Sequence, residues 1–426
     1  MTIAVFIGSL LGVMALGVPI AFALLASGVA LMWHLDIFDA QILAQNVIGG
    51  ADSFPLLAVP FFMLAGEIMN VGGLSRRIVD LALALVGHVK GGLGYVTIMA
   101  GCLLSALSGS AVADAAALTA LLLPMMVSAG HKKQTAGGLI AATGVIGPVI
   151  PPSIGLVIFG VAANVSISKL FMAAIAPGLM IGGALWLTWA FLVRREKIVP
   201  PPRKSPQEIA TAFRKAIWAL MLPVIILVGL RMGVFTPTEA AVVAATYALL
   251  VSTLVYRELK LNQLYAVFVS AAKTSAIVMF LIAAAMVSAW LITVADLPSK
   301  VVDMLQPFMG NKILLMAAIM VLVMVVGTAM DMTPTILILT PVLMPVVRAA
   351  GIDPVYFGVL FIINNSIGLV TPPVGTVLNV VAGVGKMKMD DVTRGVLPFM
   401  AAEFLVMFLM VAFPALVIIP ARWFGG

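Results

Sequence analysis

The chain has 426 residues, of which 63% are apolar and only 10% are charged. Soluble domains run at about 45–50% apolar and about 25% charged, so a fold with water on all sides is excluded and lipid must be the main solvent. The net charge of +7 reads as basic residues gathered in the cytoplasmic loops of a membrane protein, and not as a nucleic-acid footprint.

Residues 1–35 hold no Lys, Arg, Asp or Glu. The N-terminus has no basic n-region and no small-residue cleavage site, so no cleaved signal peptide is expected. The stretch 34–54 carries Asp36, Asp39 and Asp52 without a Lys or Arg, and reads as an external loop. Arg76, Arg77 and Lys90, then Lys132 and Lys133, read as cytoplasmic. Between them, residues 92–128 are too long for one span of about 20 residues. They are interrupted by Ser108-Gly109-Ser110. This predicts a re-entrant helical hairpin over 92–128 with its tip at 108–111. Cys102, the single cysteine, offers no disulfide or metal pattern and reads as a small buried hydrophobe.

The next span, 136–163, is broken by Gly147-Pro148-Val149-Ile150-Pro151-Pro152-Ser153, because proline removes a donor and clashes with the preceding turn. The first half of the chain, 1–193, ends at a basic, proline-rich cytoplasmic linker over 194–215. It holds Arg194, Arg195, Lys197, Arg203, Lys204, Arg214 and Lys215, with Pro200, Pro201, Pro202 and Pro206. The second half, 216–426, repeats the same parts. Thr236-Pro237-Thr238-Glu239 is a helix start, with Thr236 at the cap and Glu239 three residues on. Arg257 and Lys260 read as cytoplasmic, whereas the placement of Lys273 is ambiguous. A second hairpin is predicted over 313–347, with its tip between Gly327 and Thr335. A second broken helix follows over 355–383, interrupted from Gly368 to Gly375. Lys386, Lys388 and Arg394 mark the last basic loop.

The halves align without a gap at a shift of 221 residues. Pro124 then falls on Pro345, Gly130 on Gly351, Gly147 on Gly368, Pro151-Pro152 on Pro372-Pro373, and Pro177 on Pro398. The loop after Pro124 (His131-Lys132-Lys133) reads as cytoplasmic, and its counterpart, Arg348 to Asp353, as external. The copies are therefore expected to run in opposite senses, the inverted-repeat plan of secondary transporters.

Broken helices and hairpin tips leave carbonyls and amides unpaired, which a membrane tolerates only where backbone is buried in protein or lines a cavity. Such carbonyls suit a hard cation, and half-helix N-termini suit an anion. Oxygen side chains cluster at these places: Ser108, Ser110, Ser153, Thr328, Asp331, Thr333, Thr335, Asn364, Asn365, Ser366, Thr371 and Thr376. Among them Ser110, Ser153, Thr333, Asn364 and Asn365 are the candidates for substrate contact. Four acids lie in or beside apolar segments, and such acids are functional by default. Asp331 at the second tip is given a site role. Asp114, one turn past the first tip, is left between capping and ion binding. Glu239 is read as a cap, and Glu67 as structural or functional. No zinc-binding His–Glu helix, phosphate loop or nucleophile elbow is present, so no enzyme is expected.

Several of these motifs resemble the large membrane subunit of tripartite ATP-independent periplasmic (TRAP) transporters, the DctM-like family. The likeness spans essentially the whole chain. It rests on Ser-Gly-Ser-Ala-Val-Ala-Asp at 108–114, Pro-Pro-Ser-Ile at 151–154, Phe-Thr-Pro-Thr-Glu-Ala at 235–240, Asp-Met-Thr-Pro-Thr at 331–335 and Gly-Leu-Val-Thr-Pro-Pro-Val-Gly at 368–375. Gly50 to Phe54 and Pro341 to Gly358 resemble a sugar-acid branch of the family. The resemblance implies an all-α permease of the bacterial inner membrane, working elevator-fashion with a small four-helix subunit and a periplasmic binding protein. It implies sodium as the coupling ion and an organic acid, a sugar acid or dicarboxylate, as cargo. No small subunit is expected to be fused to this chain. One sodium site would involve Ser108, Gly109, Ser110, Gly144, Gly147 and Pro148. The other would involve Gly327, Asp331, Thr333, Asn365, Gly368 and Thr371. The intramembrane acids keep a stand-alone proton-coupled carboxylate carrier open as the alternative.

Overall fold

A computed structural model describes residues 2–194, 196, 198 and 200–425; Arg195 and Lys197 of the linker lie outside the described residues. The first half folds as α1 (Thr2–Ala15), α2 (Ile20–His34), α3 (Ala40–Ala51), α4 (Ala58–Val71), α5 (Leu74–Val86), α6 (Gly92–Ser108), α7 (Ala111–Ser128), α8 (Lys133–Gly144), α9 (Ile154–Ala163) and α10 (Ile167–Val193). The second half gives α11 (Pro206–Arg231), α12 (Pro237–Leu250), α13 (Leu261–Val294), α14 (Leu297–Leu305), α15 (Lys312–Gly327), α16 (Met332–Ala349), α17 (Pro354–Gly368), α18 (Thr376–Gly385), α19 (Met389–Ala412) and α20 (Ala415–Gly425). No strand occurs among the described residues. Eight of the described helical segments are long and apolar enough to cross a membrane. Large apolar side chains such as Leu187, Ile277 and Leu405 stand exposed, a surface that lipid accepts and water does not.

Two sequence expectations change in detail. The stretch 34–54 is not all loop, because Asp39 starts α3 by accepting from the Gln41 and Ile42 amides at 2.7 and 3.2 Å. The linker ends at Ser205, which caps α11 in a box with Glu208. Arg214 and Lys215 therefore ride on helix. Cys102 is half-buried. Glu239 does close a capping box on Thr236.

The 221-residue shift carries the starts of α3, α6, α7, α8, α9 and α10 onto those of α13, α15, α16, α17, α18 and α19, each within one residue. One element departs from the pattern. The 34-residue α13 is continuous where its counterpart is split into α3 and α4. Pro55 and Pro60 stand at the split; α13 has Ala276 and Leu281 there and keeps its donors.

Helices α2–α5 pack with α11–α13, and α7–α10 pack with α15–α19. Contacts between the halves are reciprocal. Helix α9 lies on α16, and α18 on α7; α10 lies on α17, and α19 on α8. Trp189, late in α10, stacks on Phe399, near the middle of α19, at 6.4 Å. The tightest crossing joins α8 to α19. A Cβ on Gly138 would sit 2.0 Å from the Gly395 carbonyl carbon, and one on Gly395 2.0 Å from the Gln134 oxygen. Only hydrogen fits at either place. Gly138→Val is expected to cost about 1–3 kcal/mol or more by overpacking. It should lower the melting temperature in detergent, whereas Gly183→Ala, where nothing lies within 4 Å, should not. Equal melting of the two variants would refute this crossing.

Candidate functional site

The first hairpin turns in two residues. Gly109 ends α6 with φ +61°, a conformation glycine adopts without penalty. A Cβ there would also lie 2.6 Å from the Pro152 carbonyl oxygen. Ser110 caps α7 by accepting from the Ala113 amide at 3.4 Å. The Ser108 hydroxyl donates to Asp114 Oδ1 at 2.6 Å and accepts from the Ser110 amide at 3.1 Å. Asp114 is buried, and its Oδ2 has no partner.

The first break lies against this tip. A Cβ on Gly147 would be 2.9 Å from the Ala111 nitrogen, and one on Gly144 3.2 Å from the Ala111 oxygen. The Ser153 hydroxyl donates to the Pro148 carbonyl and accepts from the Leu156 amide, capping α9. The fold thus brings Ser108, Gly109, Ser110, Gly144 and Gly147 to one place, with Pro148 in the adjoining turn. Ser153 is buried, and its hydroxyl is used within the break.

The second tip and break meet in the same way. A Cβ on Gly368 would lie 2.9 Å from the Gly327 carbonyl oxygen. The Val374 amide donates to the Thr328 carbonyl at 3.4 Å, and the Thr376 hydroxyl to Asp331 Oδ1 at 3.5 Å. Asp331 is the N-cap residue of α16 and is exposed; Thr333 is half-buried in the first turn. Asn365 and Thr371 bond back to the carbonyls of Phe361 and Ile367, both at 2.8 Å. Asn364 Nδ2 instead reaches across to the Met320 carbonyl at 2.6 Å and ties α17 to α15. Both asparagines are buried, and neither Oδ1 has a partner. Each is an acceptor turned out of water, a costly state unless a donor or cation completes it. The Pro-Pro bond is cis in both breaks.

The two tips place their charge differently. At the cap position the first repeat has Ser110 and the second Asp331. One turn on, the first has Asp114 and the second Thr335. Each tip therefore carries one carboxylate and one hydroxyl at these two positions, exchanged between repeats. The acid of the first tip is buried behind Ser108; that of the second is at the surface.

A cavity of about 90 Å³ opens beside the first tip, lined by Glu67, Asn70, Ser108, Ser110 and Thr274 among others. Glu67 is held there by the Ser270 hydroxyl at 3.1 Å. Asn70 and Thr274 escape a motif search because they stand on α4 and α13, far from the tip in sequence. Glu403 is also passed over, although it is buried in the middle of α19 with neither oxygen partnered. Its signal is its isolation as the one charged residue between Arg394 and Arg422.

The family profile described as "Tripartite ATP-independent periplasmic transporter, DctM component" matches residues 7–416. The chain belongs to this family. It is 57% identical to the 2,3-diketo-L-gulonate TRAP transporter large permease protein YiaN of Escherichia coli (strain K12), over 99% of this chain and all of that one. It is 39% identical to the sialic acid TRAP transporter large permease protein SiaM of Vibrio cholerae, over 98% and 97% of the two chains. The C4-dicarboxylate TRAP transporter large permease protein DctM of Pseudomonas aeruginosa is 35% identical over 91% of each. These relatives are permeases, not enzymes. The crystal structure of the Alcanivorax borkumensis YdaH transporter shares the fold, with a TM-score of 0.66 at 17% identity over 91% and 90% of the chains.

If the tip-to-break contact is what this TRAP permease works with, prying it open should stop transport without unfolding the protein. Gly368→Val places a side chain against the Gly327 carbonyl, at an overpacking cost of about 1–3 kcal/mol. Uptake in proteoliposomes should fall by at least about fivefold, with a normal gel-filtration profile.

Proposed function

We propose that this chain is the large membrane subunit of a tripartite, sodium-coupled importer of an organic acid, a sugar acid or dicarboxylate, in the bacterial inner membrane. The observation that carries this reading is the pairing of two hairpin tips with two broken helices, backbone against backbone, each pair holding one carboxylate. A hard cation is matched by such carbonyl, hydroxyl and carboxylate oxygens. No cluster of three or more His, Cys, Asp or Glu competes for a softer metal among the described residues.

Sodium would lie between each tip and its break. Ser108, Gly109, Ser110, Gly144, Gly147 and Pro148 serve the first site; Gly327, Asp331, Thr333, Asn365, Gly368 and Thr371 serve the second. The carboxylate of the cargo would meet tip amides and hydroxyls, with Ser110, Ser153, Thr333, Asn364 and Asn365 as candidate contacts. Ser110 supports this placement because it reaches both the first tip and the cavity shared with α4 and α13. In an elevator motion the hairpins and broken helices would travel against α2–α5 and α11–α13. The opposite charge character of the matching loops, His131-Lys132-Lys133 against Arg348 to Asp353, supports repeats of opposite orientation. The relatives named for diketogulonate, sialic acid and C4-dicarboxylates support an organic-acid cargo. Family membership supports the small membrane subunit and the periplasmic binding protein as partners.

The test is uptake of labelled sugar acids by liposomes holding this chain, its small membrane partner and its binding protein. Uptake should require both an inward sodium gradient and the binding protein. Asp331→Ala should raise the sodium concentration for half-maximal uptake by about tenfold or more, the loss of one charge-assisted ligand at 1.5–3 kcal/mol. Uptake by the chain alone, driven by a proton gradient and indifferent to sodium, would instead establish the proton-coupled carrier.

A further inference from the structure

The end of the molecule remote from the basic linker holds a second kind of site. Helix α11 leaves the linker at Pro206 and runs 26 residues, about 39 Å, to Arg231. The Arg231 guanidinium there donates to the Trp423 carbonyl at 3.2 Å. Helix α20 therefore ends a full membrane thickness away from the linker.

Beside α20, a cavity of about 200 Å³ opens between the N-terminal turns of α10 and α17. Its α20 wall is apolar, formed by Val417, Ile418 and Ala421, and Lys169 and Arg422 stand at its lining as exposed cations. Neither side chain has a hydrogen-bond or ion-pair partner among the described residues. Neighbouring cations are already engaged: Lys312 Nζ donates to the Gly351 carbonyl at 2.8 Å, and Arg348 to that of Ala163 at 2.9 Å. Asp353 is the acid in the lining, and its Oδ1 accepts from the Val355 and Tyr356 amides at 2.8 and 2.9 Å. The cavity thus presents two uncommitted positive groups against one partly committed negative group. The outer face of α20 exposes Leu416, Ile419 and Trp423, the pattern of a helix facing acyl chains with an aromatic at the headgroup level.

We propose that this cavity binds an anionic glycerophospholipid, its phosphate held by Lys169 and Arg422 and an acyl chain laid along α20. An ammonium and a guanidinium beside one cavity match a phosphate by charge-assisted hydrogen bonds, bidentate from the arginine. The apolar wall beside the two cations distinguishes a lipid site from a site for a free anion. The outward Leu416 and Ile419 give the chain a path from the bilayer. The assignment requires only that the protein be membrane-embedded, and does not depend on the coupling ion or cargo.

Native mass spectrometry of the delipidated full chain, titrated with phosphatidylglycerol or with phosphatidylcholine of matched acyl chains, tests it. Phosphatidylglycerol should bind more tightly, and Lys169→Gln with Arg422→Gln should weaken it by about thirtyfold, the expected loss for two basic groups near an anionic headgroup. Ala421→Phe keeps both cations but fills the cavity, and should also lose the lipid. Melting in phosphatidylcholine checks that each variant is folded. Equal retention of the two lipids by the parent chain would overturn the proposal, as would unchanged phosphatidylglycerol binding in the charge variant. Inorganic phosphate binding without lipid preference would reassign the cavity to a soluble anion. Loss of binding-protein capture in the charge variant, with lipid retention intact, would reassign it to a protein partner.

Discussion

In a bilayer, a backbone amide or carbonyl that leaves its helix has no water to turn to. This chain breaks two helices, after Gly144 and after Gly368, and the rest of its architecture accommodates that fact. Each break is covered by the tip of a hairpin from its own repeat. Each following half-helix is covered by a hairpin from the other repeat, α9 by α16 and α18 by α7. Neither repeat buries its own break without help, so the two halves form one interlocked body.

Close approach is what makes the cover effective. Gly109, Gly147 and Gly368 stand where a Cβ would meet backbone at 2.6–2.9 Å. Backbone of tip and backbone of break are thereby held in contact with no side chain between them.

The repeats are alike in element boundaries and unlike in chemistry. Ser110 and Asp114 at one tip answer to Asp331 and Thr335 at the other, so the carboxylate is buried at one site and exposed at the other. Gly144 in the first break answers to Asn365 in the second. Two tips of the same backbone geometry therefore differ in electrostatic surroundings. The split of α3 from α4, against the unbroken α13, adds a further asymmetry. It brings Glu67 and Asn70 to the cavity at the first tip.

Much of this was legible in the sequence, for definite reasons. Long uncharged runs fix the solvent as lipid, and proline and glycine act locally, so the hairpins and both breaks could be placed to within a few residues. Co-registered prolines betrayed the repeat because a fixed shift needs no three-dimensional information. The capping box at Thr236 is a local hydrogen-bond pattern and was readable in full. What the sequence could not determine depends on contacts between distant segments. Helix α3 was hidden in a polar stretch whose helicity begins with a single Asp39 cap. The pairing of Ser108 with Asp114, the tie from Asn364 to the Met320 carbonyl, the isolation of Glu403 and the convergence of Lys169 with Arg422 all require helices to meet. Periodicity and composition describe each helix separately; which faces touch, and which polar atoms are left over, is decided only when the helices pack together.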